Sequence, residues 1–501
     1  MRSLSYYFAI IIMLFNTSFE AKSSPDIEHY DINIRPDFKT GRIDIKTQVQ
    51  INNIHTKDTL YFGLNENFEK IKVTDNNCPI AYERMGGWLA IIFSRESKKT
   101  TISVETEGNL KLSTGENRAI MNDSSLFLLW SDRFYPIVFD DWATVEINIE
   151  LPSNFKCIAP GVKTVEKRNE KTVKYVFNSH KPMVCFSVFA DSHWVETKRT
   201  INGLKFQTLL HSDSQQFAEQ IFKTSDEIIR FYSDLHCPYP YDKYSFVTLP
   251  GMYARRAFPD FVGYSPKYLE KEFTSTGHDA HETSLIWWNY FSHGKGPGAF
   301  QLSEGLGDYA EILYDYKFHK PIPNKFQYFK NEYLKTDPEK DVPYNELKGN
   351  TSQNIVHGKY PWIMRVLHFA IGDSAFFQGT RNLFKTYQFT PYSIDELIAC
   401  YEKAAGTSLS WWKTEWLERK GIPQFSFTYE IKPENGKFNI SGKIVQKSVV
   451  YHIPIEIGIN SNGKIKSMKI ILTQKETVFN FNYPVKPDSI ILDPNNWIIK
   501  Y

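Results

Sequence analysis

The sequence predicts an α+β chain of several domains, with a β-rich first part, a mixed α/β middle and a β-rich end. Three observations carry this. From about Asp26 to His193, apolar and polar residues alternate, the period of half-buried strands. From about Ser212 the apolar period lengthens to helical spacing, and after Pro423 alternation returns. The 501 residues, 42% hydrophobic and 15% aromatic, suffice for about three domains at roughly 100–200 residues each.

In the first part, His29-Tyr30-Asp31-Ile32-Asn33-Ile34 and the run from Ile43 to Ile51 alternate, as do Thr101–Val104 and Thr144–Leu151. Gly, Asn and Pro between the runs predict antiparallel strands in a sandwich or saddle. In the middle, Ala218, Ile221, Phe222, Ile228, Ile229 and Tyr232 mark one helix face, ending before Cys237-Pro238-Tyr239-Pro240-Tyr241. An apolar strand follows at Tyr244–Leu249, and further helices are predicted at His278–Phe291, Gly305–Tyr316, Trp362–Gly372 and Ser393–Ala405. At the end, Phe425–Ile431 and Ile453–Ile459 alternate again.

The N-terminus reads as a secretory signal over residues 1–23. Arg2 precedes the apolar run Tyr6–Phe15, and Ala21-Lys22-Ser23 offers a small-x-small cleavage site. The run is about half of the ~20 residues a membrane span needs, so the chain is expected to be exported, periplasmic or extracellular, with no span after the leader. A buried first strand or an uncleaved anchor is the competing reading. The net charge of +2, with no basic run interleaved with aromatics, argues against nucleic acid as a partner. Five scattered cysteines (Cys78, Cys157, Cys185, Cys237, Cys400) do not make a disulfide framework. Cys157 and Cys185 either pair or are buried free thiols.

The chemistry centres on His281-Glu282-Thr283-Ser284-Leu285. In H-E-x-x-H, two histidines one helical turn apart grip one Zn²⁺ and the glutamate between them acts as general base. Here the first His and the Glu stand, and Leu285 takes the place of the second ligand. Nineteen positions beyond Leu285 comes Glu304, in Leu302-Ser303-Glu304-Gly305-Leu306-Gly307-Asp308-Tyr309, at the spacing of a third ligand on a second helix. Trp287-Trp288 follow the motif.

With these residues the chain resembles the membrane alanyl aminopeptidase (aminopeptidase N-like, gluzincin) family of zinc metallopeptidases. His29-Tyr30-Asp31-Ile32 with Thr40-Gly41-Arg42-Ile43 looks like the family's opening hairpin. Tyr239-Pro240-Tyr241-Asp242-Lys243-Tyr244 looks like the entry to its catalytic domain, and the run from Pro487 to Pro494 like its closing strand. The resemblance implies a β saddle over 24–197, a thermolysin-like peptidase domain over 198–421 and a β-sandwich over 422–501, without the large helical C-terminal domain of many members. It implies zinc as cofactor, His281 and Glu304 as ligands, and Glu282 as general base. It places His357 where the family has a catalytic tyrosine, with Tyr360 close by. The family's Gly-x-Met-Glu-Asn strand, whose glutamate holds the substrate's α-amine, falls near Pro250–Val262. That stretch contains no glutamate, and Arg255 and Arg256 would repel an ammonium if they point inward.

Other histidines compete for the missing ligand's role. His278 lies three residues before His281, but the seven residues to Leu285 span about 10 Å of helix axis, so a metal held there moves away from Glu304. His293 reaches inward only if its loop folds back. Without a cation, Glu282 and Glu304 would be two carboxylates facing one cavity, and one of them would hold a proton. The reading these residues support is an exported aminopeptidase N-like homologue with a degraded zinc site, little or no aminopeptidase activity, and peptide or partner binding in the cleft. Two alternatives stay open: an active zinc peptidase using a noncognate third ligand such as His278, and a scaffold acting through its β domains.

Overall fold

Alternation early in the chain builds a large sheet. In the strand Arg42–Ile54, Ile43, Ile45, Val49 and Ile51 are buried while Asp44, Lys46 and Gln48 face solvent. In this computed structural model residues 25–110, 119–251, 253–276, 278–318, 323–337, 340–347 and 353–500 are described. The signal segment read over residues 1–23 lies outside them.

The first sheet has eight strands, in the order Val162–Arg168, Thr172–Asn178, Thr144–Pro152, Asp26–Asp37, Arg42–Ile54, Ser97–Gly108, Phe68–Asp75 and Cys78–Pro79. It departs from the antiparallel expectation at one seam, where His29–Ile34 runs parallel to Thr144–Ile149. Period-2 alternation marks which face is buried and says nothing of strand direction. The buried face joins a continuous apolar core that extends into the middle of the chain. All five cysteines are free, so Cys157 and Cys185 are buried thiols and not a disulfide.

The middle of the chain is built on a five-stranded mixed sheet in the order Val195–Ile201, Leu204–Leu210, Lys243–Thr248, Phe261–Tyr264, Arg255–Phe258. The residue 197/198 boundary read from sequence falls inside its first strand. The central strand Lys243–Thr248 is buried at every position, as expected of a strand with parallel neighbours covered on both faces. Helix Ala218–Leu235 buries Ala218, Ile221, Phe222, Ile228, Ile229 and Tyr232, the face marked by their spacing.

Three helices differ in extent from the sequence expectation. The motif helix is α-helical over Ala280–Leu285 and then widens into a π-helical turn, Ile286–Phe291. Such turns are rare and cluster at functional sites. The helix predicted from Gly305 begins at Ala299 and runs to Phe318, which puts Glu304 inside it. The helix predicted from Trp362 spans Gln353–Thr386, continues through Pro361 and breaks its helical dihedrals at Gly372 (φ 79°). Burial of Val356, Tyr360 and Ile363 keeps the chain helical on both sides of Pro361.

Close helix packing explains two glycines. A Cβ on Gly305 would lie 2.3 Å from Tyr360 Cβ, and one on Gly307 would lie 2.7 Å from Leu285 Cδ2. Glycine therefore lets Ala299–Phe318 approach both the long helix and the motif helix. The chain ends in two three-stranded antiparallel sheets. One is Phe425–Glu434, Lys437–Gln446 and Glu476–Tyr483; the other is Lys464–Leu472, Ile453–Ser461 and Ser489–Leu492. This matches the predicted β-sandwich.

Because the Tyr360 Cβ belongs to a buried backbone that cannot swing away, Gly305→Ala should lower unfolding free energy by about 1–3 kcal/mol, the usual cost of overpacking. Denaturant titration checks this, and unchanged stability would show that the two helices separate freely.

Candidate functional site

The motif helix is fixed at its start by Tyr244, whose hydroxyl donates to Asp279 Oδ2 (2.5 Å), and by Thr283, which donates to the same oxygen (2.9 Å). Tyr232 donates to Ala280 O at 3.0 Å. Beyond the motif, Trp287 Nε1 donates to Cys237 O (3.0 Å), and Trp142 Nε1, from the first part of the chain, donates to Tyr290 O (2.7 Å). The segment is thus clamped by hydrogen bonds from the first and middle parts of the chain, and His281 and Glu282 are both buried.

His281 Nε2 lies 3.6 Å from Glu304 Oε2 and 3.9 Å from Glu282 Oε1. The fold therefore gathers the three predicted residues around one point. It also gathers residues with no role in the sequence reading. Asp308 bridges two imidazoles, with Oδ1 at 2.9 Å from His281 Nδ1 and Oδ2 at 2.8 Å from His357 Nδ1. The His281 and His357 rings are 6.1 Å apart, so His357 does reach the site. Tyr360 points elsewhere. Its ring is buried, its hydroxyl has no hydrogen-bond partner, and Asp341 is the carboxylate that bears on it.

Glu282 is paired. Arg255 Nε stands 3.2 Å from its Oε1, so Arg255 points inward from the edge strand Arg255–Phe258. Arg256 lies over the Tyr253 ring at 5.7 Å. Glu304 accepts from Asn289 Nδ2 at 3.1 Å. Behind His281, Glu311 pairs with Lys325 (2.7 Å), which also reaches Asp315 at 2.9 Å. Asp315 in turn holds His278 Nε2 at 2.8 Å, while His278 Nδ1 accepts from Ala280 N at 3.3 Å. Both nitrogens of His278 are thereby engaged, and the structure does not bring it to the His281–Glu304 pair. His293 is fixed on Asp140 at 2.8 Å and packs on Phe139 and Trp142, away from the site.

The charges follow from these contacts. Burial disfavours a protonated His281, but Asp308, helped by Glu304, more than reverses this and lifts its pKa to about 10. Burial also opposes the Asp308 charge, yet His281 and His357 hold its carboxyl well below the usual range. His357 is raised, with Asp308 overcoming burial. Of the two facing carboxylates, burial raises Glu282, whereas Glu304 is lowered because its contact with His281 outweighs burial. This is the separation expected of two acids sharing one cavity.

A zinc ion needs about three protein donors and an open place for water. His281 Nε2 and Glu304 Oε2 face one another as two donors. The third corner is Leu285, buried against Gly307, which offers no lone pair. Among the described residues, the only three donors lying within 4.8 Å of one another are His281, Asp308 and Glu311. Each of those is already paired, with Asp308 held by His357 and Glu311 by Lys325. The donor set does not fit a catalytic zinc site.

Asp308 and Glu311 carried a legible signal: Glu304, Asp308 and Glu311 recur four and three residues apart on one helix face. Arg255 and Lys325 carried none, because no sequence spacing links them to the motif.

No model of a known protein family matches the chain. Probable aminopeptidase 1 of Sulfurisphaera tokodaii is 23% identical over 143 residues, 28% of this chain and 17% of that protein. Aminopeptidase N of Streptomyces lividans is 31% identical over 68 residues, 14% of this chain and 8% of its own length. The matches thus span less than a fifth of either relative. The structure is similar to that of a mutant M1 zinc metallopeptidase from Deinococcus radiodurans, solved with a Tyr-Ser-Ala substrate. The TM-score is 0.68 at 14% identity, covering 80% of this chain and 96% of that one. The chain has the fold of the aminopeptidase N-like zinc metallopeptidases, and these likenesses support the family resemblance read from its motifs.

The raised His281 makes stability depend on pH. Its stabilising charge is fully present below its unfolded value of 6.5 and is lost as pH rises toward about 10. The Asp308 charge is present above 3.8 and lost below. In chelator-treated protein, unfolding free energy should therefore fall between pH 6.5 and 10, and Asp308→Asn should flatten that slope. An identical wild-type-to-variant difference at both ends of the window would contradict the pairing.

Proposed function

We propose that this chain is an exported aminopeptidase N-like homologue that has lost zinc-dependent aminopeptidase chemistry and keeps its cleft as a peptide-binding groove. The observation that carries the proposal is Arg255 on Glu282, beside an aliphatic Leu285. A metal held by two donors does not lower the pKa of its water to about 7, so Glu282 has no activated water to deprotonate. The positive charge a zinc ion would bring is supplied by side chains: His281, His357 and Arg255 stand opposite Asp308, Glu304 and Glu282. Export rests on the leader read over residues 1–23, and among the described residues no helix is long and apolar enough to cross a membrane.

The test is metal content and peptidase activity after saturation with zinc and desalting. The expected result is substoichiometric zinc, no release of N-terminal residues from unblocked peptides, and no effect of Glu282→Gln on background turnover. One firmly held Zn²⁺ per chain with cleavage abolished by Glu282→Gln would overturn the proposal. Conversely, Leu285→His supplies the missing nitrogen and should raise zinc binding toward one per chain. Failure to gain metal would mean that the charges around His281 exclude a dication even when a third donor is present.

A further inference from the structure

Arg255 is paired with Glu282 and still part-exposed. Its Nε faces Glu282 Oε1 at 3.2 Å, and 31% of the side chain stays exposed. A guanidinium pinned at Nε presents two parallel N–H donors, the geometry that binds a carboxylate bidentately. The next residue across the sheet supplies a second donor. Arg255 and Tyr264 are direct antiparallel partners, so their side chains share one face of the sheet. The Tyr264 ring is fully buried, stacked on Phe246 and edge-on to Phe273. Its hydroxyl has no hydrogen-bond partner. Arg255 and Glu282 are the charges that act most strongly on that hydroxyl. A buried hydroxyl left unpaired is costly, so a donor beside a part-exposed guanidinium marks a place for an acceptor.

An ammonium group finds the opposite. The inward charge on this strand is positive, Glu282 is neutralised by Arg255, and Glu304 is taken by His281 and Asn289. We propose that Arg255, with Tyr264 beside it, forms a carboxylate-binding subsite at the His281–Glu282 end of the cleft, so that a peptide docks by a carboxylate and not by its α-amine. This rests on the peptide-groove reading above and specifies its ligand. The carboxylate is either a peptide C-terminus or an acidic side chain, since both present the same two oxygens.

Four tripeptide probes separate the outcomes by calorimetric titration of the full chain without added zinc. Acetyl-Ala-Phe-Ala carries only a terminal carboxylate, and acetyl-Ala-Glu-Ala-amide only a side-chain one. Ala-Phe-Ala-amide carries only an ammonium, and acetyl-Ala-Phe-Ala-amide carries no charge. One or both carboxylate probes should bind about tenfold or more tightly than the uncharged probe, the loss expected of a charge-assisted pair. Which one does so identifies the source. The ammonium probe should gain nothing. Arg255→Gln combined with Glu282→Gln removes the fork without stranding a buried carboxylate, and should abolish the preference with the thermal transition retained. Tyr264→Phe, which keeps the stacked ring, should reduce it severalfold. Equal binding of charged and uncharged probes, or best binding of the ammonium probe, overturns the subsite and leaves the groove standing. No binding of any probe overturns both.

Discussion

The Asp308 carboxylate, shared between the imidazoles of His281 and His357, is the interaction on which the centre of this molecule depends. His281 and Asp308 are taken out of water together, and each charge would be strongly destabilising alone. Paired with one another and with the half-buried His357, their charges offset. The same closure repeats outward, with Glu304 on His281, Arg255 on Glu282, and Lys325 between Glu311 and Asp315. Opposite charges thus alternate through the packed helices, and the local field is balanced by side chains covalently part of the fold. A dication entering here would meet the positive charge of Arg255 and of a protonated His281, the same side chain that would have to donate to it.

That closure requires the helices to be close and still. Gly305 and Gly307 let Ala299–Phe318 lie against the backbone of Tyr360 and the side chain of Leu285, which sets the distances at which Glu304 and Asp308 meet His281. Hydrogen bonds from Tyr244, Tyr232 and Trp142 hold the motif helix from the other sides. The motif helix is therefore held among paired charges on a fold shared with zinc metallopeptidases. The edge strand turns a guanidinium inward at Arg255, where the family resemblance leads one to expect a carboxylate. On the proposed reading, lost metal chemistry and a preference for a carboxylate ligand share one cause, because Arg255 both pairs with Glu282 and points inward.

Much of this is legible in the sequence alone. Alternation and helical periodicity placed the β-rich ends and the mixed middle, because burial of one face imposes its period on the chain whatever the neighbours are. The positions of His281, Glu282 and Glu304 followed from helix geometry, and Leu285 announced the missing ligand. The parallel seam at His29–Ile34 was not legible, since alternation is blind to strand direction. Helix extents around Glu304 and Pro361 were not either, since tertiary burial overrode the local signals of glycine and proline.

What the sequence determined by itself is chemistry that runs along one helix: which ligand types stand at which turn, and that one of them is aliphatic. What only the tertiary structure decided is pairing between elements distant in sequence. Arg255 reaches Glu282 from a sheet edge, and His357 reaches Asp308 from another helix. Lys325 closes on Glu311, and His278 is drawn off by Asp315. The physical reason is that a side chain's charge state depends on partners a few ångströms away in space, and those distances are set by packing.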